Sequence, residues 1–102
     1  MSRILRFRIR ADFDLDELVE HIASRDERAA LRFRDRVQET VTGIVRRPNL
    51  GTHRITPRGR DLRLRQVLRY PKFVIIYQLT EDYIDILRIV RGTRNLDALM
   101  PD

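Results

Sequence analysis

The residues best placed to do chemistry are the arginines of the stretch IDILRIVRGTRN, residues 84–95. Ile84, Ile86, Leu87, Ile89 and Val90 form an apolar run that Arg88 interrupts, and Arg91, Gly92, Thr93, Arg94 and Asn95 follow without a linker. A guanidinium does not deprotonate and resists burial, so Arg88 inside a covered strand needs a carboxylate partner or a cleft to reach into. Gly92, lacking a side chain, permits a tight turn between Arg91 and Arg94. Three arginines converging at the end of a strand form a candidate anion site, and Arg88, Arg91, Arg94 and Asn95 are its candidate contact residues. The competing account is a solvated strand terminus.

Other chemistries have less support. His21 and His53 lack any His or carboxylate partner at ligand spacing, so neither suggests a metal. The chain contains no cysteine, which excludes disulfides and thiolate sites. Asp12, Asp14 and Asp16 alternate without the glycine and distal glutamate of a calcium loop, and helix capping accounts for them better. Ser2 and Ser24 have no nucleophile-elbow context. Gly43, Gly51, Gly59 and Gly92 are too scattered to cradle a phosphate. Tyr70, Tyr77 and Tyr83 have the means to stack on bases or donate a proton, but Tyr77 ends an apolar strand and is expected in the core or at its boundary. No cofactor is implied.

Charge is distributed unevenly. The chain of 102 residues carries a net +6, and 20 of its 21 basic residues are arginine. Residues 1–27 hold a net −2, whereas residues 46–72 hold a net +8. Within that block Arg54, Arg58, Arg60, Arg63, Arg65 and Arg69 form a candidate patch for an anion or an acidic peptide. With 42% apolar residues the chain can bury one core, consistent with a single domain over residues 1–102. No apolar run approaches the ~20 residues of a membrane span, and MSRILRFRIR has no signal-peptide core. A cytoplasmic location is expected.

These residues need elements to position them. RILRFRIR alternates, with Leu5, Phe7 and Ile9 on one side and Arg6, Arg8 and Arg10 on the other, as in a half-exposed edge strand. Leu15, Leu18, Val19 and Ile22 then fall on one stripe of a helix, with Asp14 and Glu17 as its capping pair. Ser24 and Glu27 repeat the capping pattern, and Ala30, Phe33, Val37, Val41 and Ile44 continue at helical spacing until Pro48 forbids it. PNLGTHRITPRGRD reads as a loop. LRLRQVL (62–68), FVIIYQL (73–79) and YIDILRIV (83–90) read as strands, the last two joined by a tight hairpin over Thr80, Glu81 and Asp82. NLDALM forms a short helical element. The fold class is α+β in the order β-α-α-β-β-β: a helical hairpin packed on a small, mostly antiparallel sheet of four strands.

This pattern resembles the ParE branch of the ParE/RelE toxins of bacterial toxin–antitoxin operons. The resemblance spans nearly the whole chain and is carried by DLDELVEHIASRDERAALRF, by RRPNLG at the helix exit, and by FVIIYQL with YIDILRIVRGTRN. It implies a type II toxin that inhibits DNA gyrase without chemistry of its own, with Arg88 to Asn95 as the surface for that contact. It further implies a ParD-type antitoxin in a hetero-oligomer with this chain, reaching operator DNA only through the antitoxin. The antitoxin's tail would wrap the hairpin and the sheet, and the basic block of residues 46–72 suits it.

Two other readings compete. RelE-like members of the superfamily are ribosome-dependent mRNA endoribonucleases, with an arginine roughly where this chain has Val74 and often a terminal tyrosine near Met100. Neither position here carries an acid or a base. Cleavage would need a group to activate the 2′-hydroxyl, which Arg88, Arg91 and Arg94 do not provide. A plain nucleic-acid-binding module would show affinity that falls steeply with salt, but the basic residues lie in a loop and on strands rather than on a recognition helix.

Overall fold

The structure, a computed structural model, describes residues 2–93 and 95–100. Strand β1 (Ile4–Phe7) leads into helices α1 (Ile9–Ala23) and α2 (Glu27–Arg46), and a 3-10 turn at Pro48–Leu50 precedes β2 (Thr52–Ile55). Strands β3 (Asp61–Val67), β4 (Tyr70–Leu79) and β5 (Tyr83–Arg91) follow, and α3 (Leu96–Leu99) ends the described chain. The sheet order is β1-β5-β4-β3-β2, with β1 parallel to β5 and every other pair antiparallel.

The expected α+β class and the helical hairpin are present. The sheet, however, has five strands and not four. The additional strand, β2, lies inside the segment read as a loop. Its four residues are all exposed, so it carries no burial pattern, and only pairing with β3 (Thr52↔Leu64 to Ile55↔Asp61) makes it a strand.

Two apolar layers sandwich the sheet. On one face α2 buries Phe33, Val37, Val41 and Ile44, and α1 adds Ala11 with the partly buried Leu15, Leu18, Val19 and Ile22, against Val67, Ile75, Tyr77, Ile84, Ile86 and Ile89. On the other, Leu62, Leu64, Val74 and Ile76 pack with Leu96, Leu99 and Met100 in and beside α3. Two helices cover the first face. The second is covered at its centre by a single helical turn.

Helix boundaries depart from the sequence reading in an instructive way. β1 stops at Phe7 and α1 already begins at Ile9, with Arg8 at the N-cap. Ile9 is therefore 88% exposed at a helix start instead of sharing a strand face with Leu5 and Phe7. Asp14, expected to cap α1, lies inside the helix and is buried. The cap of α2 is Asp26, whose carboxylate accepts the Ala29 N–H at 3.1 Å. Ser24 instead closes α1, donating its hydroxyl to the His21 carbonyl. The expected pair Ser24–Glu27 is thus displaced by an aspartate two residues on, a stronger or equal cap at a position with the required extended backbone.

Each outer strand is shorter than the strand it flanks, and a helix side chain serves the backbone beyond it. β1 pairs with β5 only as far as Ile86. Beyond it, the Ile89 N–H donates to Asp14 Oδ2 of α1 at 3.0 Å. β2 pairs with β3 only as far as Leu64, and past the end of β3 the Leu68 N–H donates to Thr40 Oγ1 of α2 at 2.9 Å. Buried backbone donors require partners, and these two polar side chains inside amphipathic helices provide them.

Candidate target-contact site

Arg88 finds its carboxylate. Nε and Nη2 donate to Asp14 Oδ2 and Oδ1 at 2.7 and 3.0 Å, a bidentate fork, while Nη1 donates to the Leu99 carbonyl at 2.7 Å. The side chains of Arg88 and Asp14 are only 12% and 10% exposed. One extra residue on β5, Leu87, lies between the pairs Tyr77↔Ile86 and Ile76↔Arg88. Bulges of this kind re-aim the neighbouring side chain, and here the arginine reaches α1 and α3 at once.

The other candidate residues are distributed differently. Arg91 is exposed at the end of β5, and Gly92 follows at φ +80°, where its N–H donates to the Lys72 carbonyl at 3.0 Å. Arg94 lies outside the described residues. Asn95 is exposed and caps α3, its Oδ1 accepting the Ala98 N–H at 3.3 Å. The structure therefore places Arg91 and Asn95 on an open segment, while Arg88 faces inward from it.

Of the six arginines of the basic block, Arg54 and Arg65 line one open pocket together with Thr93. Arg63 donates to the Asn49 and Gly51 carbonyls, and Arg60 donates to the Asp97 carbonyl. The guanidinium of Arg65 lies over Gly43 of α2, where an added Cβ would sit 3.2 Å from Nη2. These three are spent largely on the fold. Arg54, Arg58 and Arg69 are exposed, on β2, in the turn before β3, and in the turn after it at φ 68°. Arg58 and Arg69 thus stand at opposite ends of β3.

All three tyrosines are used structurally. The Tyr77 hydroxyl donates to the Pro48 carbonyl at 2.7 Å and accepts the Gly51 N–H at 3.2 Å. A Cβ at Gly51 would lie 2.3 Å from that hydroxyl, so the glycine of RRPNLG is demanded by close approach. Burial raises the phenol above its ordinary value, against the opposing pull of the Gly51 N–H, Arg65 and Arg63. Tyr70 packs edge-on to Phe33, and Tyr83 lies beneath Arg6, whose guanidinium is 3.5 Å from the ring centroid. Arg6 in turn makes a two-bond pair with the buried Asp85 at 2.7 and 3.0 Å, and this pairing holds its proton more firmly than usual. His53 pairs with Asp61 on the surface, and no metal-binding cluster occurs among the described residues.

One surface was not singled out by the sequence pattern. Arg6, Phe7, Arg8, Ile9, Arg10 and Phe13 line an open groove where β1 passes into α1. Ile9 and Phe13 are 88% and 55% exposed there. Alternation places Ile9 on one side of an edge strand with Leu5 and Phe7. Its exposure follows from the helix beginning one residue after an exposed arginine.

A basic α+β domain with this topology and a segment of exposed polar and basic residues after its longest apolar strands is a recognised class. The family model for the ParE toxin of the type II toxin–antitoxin system, parDE, matches residues 5–96, and the chain belongs to that family. A chain in the solved structure described as the chromosomal ParDE TA system from P. aeruginosa has the same fold, with a TM-score of 0.76. That likeness covers 90% of this chain and 98% of the other at 24% identity. No curated protein matches. Among the described residues no helix is long and apolar enough to cross a membrane.

Proposed function

We propose that this toxin acts by binding DNA gyrase, without catalysis, and that a ParD-type antitoxin neutralises it. The observation that carries the non-catalytic reading is the fate of Val74 and Met100. A RelE-type nuclease would need functional groups near these positions. Here both are 8% exposed and pack in the same apolar cluster beneath α3. The buried Tyr77 hydroxyl is engaged by the Pro48 carbonyl and the Gly51 N–H, which leaves it undisposed to activate a 2′-hydroxyl. The contact surface on this reading is the segment from Arg91 to Asn95, including Arg94 by sequence.

The antitoxin is drawn to a different feature. The groove at the β1–α1 junction leaves Ile9 and Phe13 uncovered beside Arg8 and Arg10. An exposed apolar patch rimmed by cations suits an acidic, apolar-studded tail that orders on binding. The net +6 adds long-range attraction.

The test is a supercoiling and DNA-cleavage assay with purified gyrase, adding the protein alone and then with its antitoxin. Loss of supercoiling with accumulation of cleaved DNA, reversed by the antitoxin, is the expected result. Gyrase that continues to supercoil at a large excess of toxin would overturn the proposal, and mRNA cut on a programmed ribosome would replace it with the nuclease reading.

A further inference from the structure

A residue early in α1 and the last residue of α3 meet at one guanidinium. We infer that Asp14 and Arg88 form a latch that holds α3 on the second face of the sheet. Arg88 then serves the segment between β5 and α3 as a positioning residue, not as part of the contact surface.

Consider what else keeps α3 in place. It is four residues long, too short to be stable as a helix by itself. Leu96, Leu99 and Met100 provide its apolar contacts. Asp97 ties one side of it to the turn before β3, accepting the Arg58 N–H at 3.1 Å on its carboxylate and the Arg60 guanidinium on its carbonyl. Arg88 ties the other side, and it does so through the Leu99 carbonyl, one of the C-terminal acceptors that a helix cannot satisfy internally.

The guanidinium can reach that carbonyl because Asp14 fixes it. Two of its donors are committed to the carboxylate, which also accepts the Ile89 N–H. Removing either partner leaves an uncompensated buried charge, so the latch fails as a unit. The segment between β5 and α3 is held at Gly92 by the Lys72 carbonyl and at its far end by α3. With the latch open, one end of the segment carrying the contact residues is free.

The functional half of this inference rests on the proposed gyrase contact. The latch itself does not, and the test separates them. The chain has no cysteine, so Met100→Cys places a single buried thiol beside α3 in this chain. Thiol labelling then measures how often α3 lifts. Asp14→Asn and Arg88→Met are compared in that background with Ile44→Val, a core change on α2, away from Asp14, Arg88 and α3. Labelling is expected to quicken about tenfold or more in the two latch variants and little in Ile44→Val, because only the former strand a buried charge or carbonyl.

Gyrase poisoning, measured without the cysteine, is expected to fall in the same two variants while Ile44→Val retains it at matched folded fraction. Arg88→Lys, which keeps the charge but not the fork, is expected to be intermediate and provides the measurement if Arg88→Met does not fold. Unchanged labelling in the latch variants would overturn the latch. Faster labelling with full poisoning would overturn the positioning role. If the parent chain leaves gyrase untouched, the proposed function fails and the latch is judged on labelling alone.

Discussion

At Gly51 and Tyr77 a single contact decides which side chain is permitted. The hydroxyl of Tyr77 fills the space a Cβ at Gly51 would take, and Gly51 has an ordinary extended backbone, so the constraint is volume and not φ. Gly51→Ala is expected to cost about 1–3 kcal/mol, the usual penalty of overpacking, read from denaturant melts. The same phenol predicts alkaline behaviour. Its proton is held more tightly in the folded chain than at the ordinary value of 10.0. The folded state therefore binds more protons than the unfolded state above that pH, and stability falls as pH rises. The Tyr77 contribution is complete below the unfolded value and is lost through the interval up to the raised folded one. Tyr77→Phe should flatten that alkaline loss in melts taken across the interval, while lowering stability at neutral pH by removal of the two hydrogen bonds. Asp14 shows what sequence spacing conceals. Its alternation with Asp12 and Asp16 mimics a helix cap, and its partner lies 74 residues away. The available signal was Arg88, a charge in an apolar strand that had to be answered by some carboxylate.

Among the elements, those with strong periodicity were legible and those held by neighbours were not. Phe33, Val37, Val41 and Ile44 fixed α2 by their spacing, and the continuous apolar runs fixed β4 and β5 as inner strands. β2 was invisible because an edge strand exposed on every residue has no pattern to read. The start of α1 was misplaced because Arg8, Ile9 and Arg10 continue the alternation of β1 while already turning into a helix. The corrected cap of α2 is open to test. Asp26→Ala should lower stability by about 1 kcal/mol, since it frees the Ala29 N–H. Ser24→Ala should change it little, because its hydroxyl bonds to an exposed carbonyl at the end of α1. Equal losses in thermal or urea melts would restore Ser24 as the cap. At the candidate site, the arginine-rich strand end was legible but its division of labour was not. Whether a guanidinium faces a partner or the protein's own helix depends on the bulge at Leu87, which nothing in the local sequence announces.

For the molecule as a whole, charge and exposed apolar surface are arranged on different scales. The net +6 acts at a distance, whereas the groove of Ile9 and Phe13 acts only on contact. If an acidic antitoxin tail is the partner, association should slow by about tenfold between roughly 0.05 and 0.5 M salt as the attraction is screened, with a smaller change in dissociation. Stopped-flow rates at several salt concentrations would measure both. The Asp14–Arg88 pair, being buried, should be insensitive to the same salt. Topology carries a consequence of another kind. β1 is the first strand made, yet its neighbour is β5, with Ile4 opposite Tyr83, and Arg6 meets Asp85 across 79 positions. Asp14 likewise awaits Arg88. Chains are synthesised from the N-terminus, and contacts of this sequence separation close late. β1 therefore has no sheet partner, and α1 has only α2 to pack on, until β5 has left the ribosome. A toxin arranged this way completes its own sheet only once β5 has been made, and a nascent chain interrupted before β5 lacks both the strand that carries the contact residues and the fold that would present them.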